Sequence, residues 1–243
     1  LVLLHGWGVP GAIWQSVEAG LAAQRRVLVA DLPGYGRREI VWPYTADALA
    51  QSLAVDIAEP CIVCGWSMGG MVAQAWAVQC PEQVRGLILV SSSPAFLRQV
   101  NWCHGLAPET LAEFTAALTQ DGRATRLRFL ALQARGGEAS RAVTVALRES
   151  LRRAAEPDHE VLALGLELLR TVDLREHAVK ISSPTLVVHG AADLVCPAGA
   201  GAWLAESIVG ARLAQHAAAA HVPFLSHPAW FQEQVNAFVR DIE

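Results

Sequence analysis

The pentapeptide Gly65-Trp66-Ser67-Met68-Gly69 constrains this chain more than any other segment, because an apolar, β-compatible run at 61–64 precedes it and a helix-compatible run at 70–77 follows it. A serine between two glycines at a strand-to-helix switch reads as a nucleophile elbow. The glycines tolerate the close backbone approach of the turn, and the following helix aims its positive end and first N–H at charge developing beside the serine. A Gly/Ser turn without chemistry can have the same five letters; the flanking strand and helix patterns separate the two readings.

With 243 residues, 53% of them hydrophobic and 17% charged, the chain can bury one large core, so 1–243 is read as a single α/β domain. No apolar run reaches the ~18 residues of a spanning helix, and no basic-then-apolar leader opens the numbering. The expectation is a cytoplasmic monomer with no membrane attachment. Leu1 already lies inside a strand pattern, so a short N-terminal piece is expected to precede it. The cysteine count is odd, and Cys61 and Cys64 sit within a strand pattern, which favours reduced core thiols over a redox pair. No His or Cys pairs recur at zinc-like spacing, and Gly34-Tyr35-Gly36-Arg37-Arg38 lacks both phosphate-loop signatures. Neither a metal nor a cofactor is expected.

Short β-rich runs at 1–4, 27–30, 61–64, 87–90, 185–189 and 211–215 alternate with helical spacing at 13–23, 46–57, 68–78, 198–208 and 229–242. Alternation of this kind argues a parallel sheet, and strands apolar throughout argue helices on both of its faces. From about 108 to 170 the alternation stops. Helical stretches at 108–118, 122–134, 138–154 and 159–170 follow one another, broken at Gly136-Gly137 and Glu156-Pro157. They read as an insertion after the fifth strand, a lid over the carboxyl ends of the strands where α/β sheets bind ligands.

An elbow serine needs a base, and the base an orienting acid; in chain order the acid comes next and the histidine last, each on a loop after a late strand. His221 follows the run at 211–215 and precedes the last helix, and Asp193 follows the run at 185–189. Among the other histidines, His5 and His189 end strands beside glycine and suit backbone bonding, His216 is too close to its strand, and His227 before Pro228 suits a helix start. Asp173 competes with Asp193 for the acid, with an ordinary salt bridge as its alternative; Asp31 suits a turn cap. The oxyanion hole requires two placed donors, for which the Met68 N–H and the N–H of Trp7 in His5-Gly6-Trp7-Gly8 are the candidates.

Together with these motifs, Asp31-Leu32-Pro33-Gly34-Tyr35-Gly36, Phe129-Leu130-Ala131-Leu132-Gln133, the run from Gly165 to Arg175 and the run from Ala220 to Pro228 resemble the BioH family of biotin-pathway carboxylesterases. The His5-Gly6-Trp7-Gly8, elbow and histidine motifs fit many α/β-hydrolases, whereas the lid motif and the run Leu166-Glu167-Leu168-Leu169-Arg170-Thr171-Val172-Asp173-Leu174-Arg175 are more particular. The resemblance covers almost the whole chain. It implies the α/β-hydrolase fold with a helical lid and hydrolysis of the methyl ester of pimeloyl-acyl carrier protein. It also implies that Phe129, Leu130, Ala131, Leu132 and Gln133 line the acyl channel, with packing inside the lid as the alternative for Phe129 and Leu132. Trp7, Ser67, Met68 and His221 complete the expected substrate contacts, with a purely structural role as the alternative for the Trp7 indole. Another esterase, a thioesterase or a carbon–carbon hydrolase would use the same triad, and a receptor can keep it without turnover; both readings stay open here.

Charge adds an independent sign. Between Arg123 and Arg153 stand eight arginines against Glu138 and Glu149, a segment of +6 in a chain of −4, which leaves −10 elsewhere. A basic lid on an acidic body suits docking of an acidic carrier protein, with a solvated helix face as the alternative. Carrier-binding arginines of the family match Arg128 and Arg141, while two further matching positions hold Ala124 and Val145; Arg123, Arg126 and Arg148 stand nearby to compensate. The acidic balance and the lack of a basic-aromatic motif disfavour nucleic acid, which is not an expected partner.

Overall fold

Six strands form a single sheet in the computed structural model, which describes residues 1–152 and 156–243. They are β1 (Val2–Leu4), β2 (Leu28–Ala30), β3 (Cys61–Trp66), β4 (Val84–Val90), β5 (Thr185–Gly190) and β6 (Arg212–His216). Their order is β2-β1-β3-β4-β5-β6, with every neighbouring pair parallel. The helices are α1 (Gln15–Ala22), α2 (Ala46–Asp56), α3 (Met68–Gln79), α4 (Pro108–Leu118), α5 (Gly122–Ala134), α6 (Ser140–Arg152), α7 (His159–Thr171), α8 (Arg175–Ala178), α9 (Ala198–Ser207), α10 (Pro223–Ser226) and α11 (Pro228–Ile242).

Side chains alternate across the sheet with period two and feed two cores. Val2, Leu4, Val63, Leu87, Leu89 and Val187 pack with Leu49 and Leu53 of α2, Met71 and Trp76 of α3 and Leu204 of α9. Leu3, Ile62, Cys64, Ile88, Val90 and Val188 pack on the other face with Val17 and Leu21 of α1 and Phe231, Val235 and Phe238 of α11. Burial on both faces explains why the inner strands are apolar throughout. At the edge, β6 is half exposed and carries Arg212 and Gln215.

The segment 13–23 does not run as one helix. Gly11–Trp14 is a 3-10 turn that leads into α1, and Asp31 caps it by accepting the Gly11 N–H at 2.9 Å. The insertion leaves the sheet after β4, the fourth strand and not the fifth, and returns at β5. Asp121 caps α5 by accepting the Ala124 N–H. Gly136, at φ +95°, breaks the chain before α6, which starts at Ser140 instead of 138. Arg153 and Ala154, in the expected helix 138–154, lie outside the described residues. The lid bridges both cores: Phe114, Phe129, Leu162 and Leu166 join the first, and Leu130, Val143 and Leu147 the second. No helix among the described residues is long and apolar enough to cross a membrane.

Candidate active site

Ser67 sits between β3 and α3 at φ +54°, ψ −120°, a conformation outside the regions that L-residues favour. The surroundings enforce it. The Ser67 N–H donates to the Val90 carbonyl at 3.0 Å, and its carbonyl accepts from the Gly70 N–H at 2.9 Å and the Ser92 hydroxyl at 2.9 Å. A Cβ on Gly65 would collide with the Gly69 backbone, and one on Gly69 with the carbonyls of Leu4 and His5. Only glycine fits at either side of the turn. Because Met68 opens α3, its N–H is one of the first-turn donors with no intrahelical acceptor.

The triad candidates come to the same edge of the sheet because β3, β5 and β6 all end there, and the structure joins two of them, His221 and Asp193, by a hydrogen bond. His221 Nδ1–H donates to Asp193 Oδ2 at 2.8 Å, and both side chains are fully buried. Asp193 Oδ1 accepts the N–H groups of Val195 at 2.8 Å and Cys196 at 2.9 Å. Burial works to raise the Asp193 pKa, but the His221 imidazole and hydrogen bonds from His189 and His221 outweigh it, so the carboxyl is held well below the usual carboxylate range. His221 Nε2 is buried with no hydrogen-bond partner among the described residues. The histidine loop is tied to the elbow by Trp66, whose Nε1–H donates to the His221 carbonyl at 2.8 Å. It is tied to the lid as well: the His221 N–H donates to the Gln133 carbonyl at 3.3 Å.

The loop after β1 runs against Ser67, so that a Cβ on Gly6 would lie 3.2 Å from Ser67 Cβ. Trp7 follows, buried, with its Nε1–H donating to the Leu162 carbonyl of α7 at 2.9 Å. Its ring packs edge-on against Phe129 at 5.0 Å, and Phe129 packs edge-on against Phe114 at 5.2 Å, contacts each worth about 0.5–1.5 kcal/mol beyond area burial. Gly165 of α7 lies so close to the Trp7 indole that any larger residue would strike it. Gly8 has both backbone groups engaged: its N–H donates to the Tyr35 hydroxyl at 3.0 Å, and its carbonyl accepts from Arg126 Nε at 2.9 Å.

Two expected placements are corrected. Arg126 is not on an outer face. Its side chain is 4% exposed, turned inward onto Gly8, with Glu156 3.4 Å from its guanidinium. Helical phase explains this, since Arg126 shares a face with buried Phe129, Leu130 and Gln133. Ala131, expected among the substrate contacts, points to solvent for the same reason, while Leu132 is half buried. Gln133 is buried, and both of its amide atoms lack partners among the described residues. Arg123, Arg128, Arg141 and Arg148 are exposed.

The competing residues are accounted for. Asp173 forms an ion pair with Arg175 at 2.6 Å, and that hydrogen bond lowers its pKa. His5 Nε2 accepts the Leu32 N–H and its Nδ1 donates to the Gly6 carbonyl. His189 Nε2 donates to the Cys196 carbonyl at 2.8 Å and lies 3.5 Å from Asp193 Oδ2, bracing the acid loop. His216 packs against His227 with ring centroids 3.8 Å apart and the planes tilted by 35°, and His227 is the residue before α11. Sequence reasoning missed the bracing by Tyr35 and Trp66. Only the Trp66 position, inside the elbow, carried a local signal.

A parallel sheet with a serine elbow, a late acid, a final histidine and a helical lid defines a hydrolase of the α/β class. The chain belongs to the alpha/beta hydrolase family, whose model matches residues 1–234. It is 38% identical over 231 residues to the pimeloyl-[acyl-carrier protein] methyl ester esterase of Nitrosomonas europaea, covering 95% of this chain and 92% of the relative. It is 39% identical to the protein of the same description from Chromobacterium violaceum, over 100% of this chain and 94% of the relative. Among solved structures, an esterase from Exiguobacterium antarcticum superposes with a TM-score of 0.87 at 24% identity, over 98% of this chain and 91% of that one, and so shares the fold.

Proposed function

We propose that the protein is a serine carboxylesterase that hydrolyses the methyl ester of pimeloyl-acyl carrier protein, freeing the carboxylate for biotin synthesis. The observation that carries the chemistry is the buried His221–Asp193 hydrogen bond, alongside the strained elbow conformation of Ser67; the substrate rests on the relatives' descriptions and on the basic outer face of the lid. With Nδ1–H committed to Asp193, the lone pair of His221 falls on Nε2, which is free to take the Ser67 proton. Ser67 Oγ then attacks the ester carbonyl, and the N–H groups of Met68 and Trp7 receive the oxyanion. The carbon–oxygen bond to the methoxy group breaks, and methanol leaves with the proton from His221. Water adds to the acyl-serine by the same route, its proton going to Nε2 and then back to Ser67. No step draws on a metal or cofactor.

Phe129 and Gln133 stand at the lid side of this chemistry, and Arg128 and Arg141 present positive charge for the acidic carrier. Ser67 is only 3% exposed, so the acyl chain enters by parting the lid from Trp7. Incubation of the protein with pimeloyl-acyl carrier protein methyl ester, read by mass spectrometry of the intact carrier, tests the reading. The expected product is the carrier bearing the free acid. Release of the carrier thiol with the methyl ester intact would make the protein a thioesterase instead.

A further inference from the structure

Arg126 is the feature of the lid that the docking reading leaves unexplained. A guanidinium taken out of water is costly unless its hydrogen bonds compensate, and an aliphatic residue would close the lid at lower cost. Arg123, Arg128, Arg135, Arg141, Arg148 and Arg152 all remain exposed; Arg126 alone among the described arginines of this segment is buried. Its Nε–H ends on the Gly8 carbonyl, one residue beyond Trp7.

Gly8 is at φ +73°, where the residue has no side chain of its own and lies in no regular element. Two bonds from outside the loop fix its peptide groups, Tyr35 Oη on the N–H and Arg126 Nε on the carbonyl. A third, from the Trp7 indole to the Leu162 carbonyl, fixes the preceding side chain. The direction of the Trp7 N–H follows from the backbone these bonds hold, and a charged donor makes the strongest of them.

We propose that Arg126 is a positioning residue for the oxyanion hole, holding the Trp7–Gly8 backbone from the lid so that the Trp7 N–H meets the developing negative charge. The proposal rests on the serine-esterase reading but not on the carrier as substrate. It places one donor of the reaction under control of the lid helix α5, so that the hole is complete only when α5 is seated over the loop.

Arg126→Met and Arg126→Gln separate this role from packing and charge. Methionine fills similar space without a donor, whereas the glutamine Nε2 stands the same number of bonds from the backbone as the arginine Nε and carries no charge. With p-nitrophenyl acetate, Arg126→Met is expected to lower kcat about 10-fold with KM changed less than about twofold, since displacing a preorganised donor is felt in the transition state. The inhibition constant of a trifluoromethyl ketone, which forms an oxyanion on adding Ser67, is expected to rise by a similar factor. Arg126→Gln is expected to recover most of both losses. Tyr35→Phe, which frees the Gly8 N–H, is expected to lower kcat in the same sense and decides the matter if Arg126→Met does not fold. Parental kcat in folded Arg126→Met, or in Tyr35→Phe where Arg126→Met does not fold, would overturn the proposal, as would equal losses in the methionine and glutamine variants. A failure of the esterase reading shows elsewhere, as activity retained without Ser67.

Discussion

The strand ends and the lid are built on opposite plans. At the strand ends, Ser67, Asp193 and His221 are buried, and the acid and the elbow backbone are held by bonds to neighbouring backbone groups that do not depend on solvent. In the lid, α4 to α7 present an apolar underside of Phe114, Phe129, Leu147 and Leu162 and an outer face rich in arginine. The first plan fixes the positions of the groups around the reacting atoms, as developing charge demands. The second places charge on side chains that water and salt screen, which suits recognition of a large partner more than bond breaking. Chemistry and substrate choice should therefore fail separately.

The sharpest separation comes from Ser67→Ala. Turnover of both p-nitrophenyl acetate and a carrier-linked ester is expected to fall by several orders of magnitude, with the far-UV circular dichroism spectrum unchanged. A folded variant with near-parental rates would remove Ser67 from the mechanism.

Within the strand ends, the next effect distinguishes the two aspartates. Asp193→Asn leaves an amide facing His221 Nδ1 and favours the wrong tautomer, with a loss in kcat on the order of 10⁴-fold by analogy with other triads. Asp173→Asn breaks only the exposed pair with Arg175 and is expected to leave kcat near parental, because such pairs are worth about 0–1 kcal/mol. Steady-state kinetics on the small ester rank the two, and the opposite order would move the acid to Asp173.

The smallest effect is the most selective. Arg128→Glu with Arg141→Glu is expected to raise KM for the carrier-linked ester several-fold, a loss that shrinks as added salt screens the contact over about 10 Å at 0.1 M. The small ester does not touch that face, so its kcat/KM is expected to stay put. An equal loss on both substrates would show that these arginines shape the pocket instead.

How far each plan was legible differs in the same way. Local chemistry announces the elbow: Gly65 and Gly69 are there because nothing larger fits, and a run such as 61–64 is apolar because both faces are covered. Chain order alone puts Asp193 and His221 after late strands, and the hydrogen bond between them follows. In the lid, spacing revealed the helices almost residue for residue, yet composition could not tell Arg126 from Arg128.

The sequence by itself determined the alternation of strands and helices, the elbow, the chain order of the triad candidates and the sign of the lid's charge, because each is written in neighbouring residues or in their count. Only the tertiary structure decided which arginine turns inward, that Ala131 faces solvent, that Trp66 ties the histidine loop to the elbow, and that Tyr35 and Arg126 grip Gly8 from opposite sides. These contacts join residues 27 to 155 positions apart. Their partners are chosen by how the lid settles on the sheet, a packing outcome that no local pattern encodes.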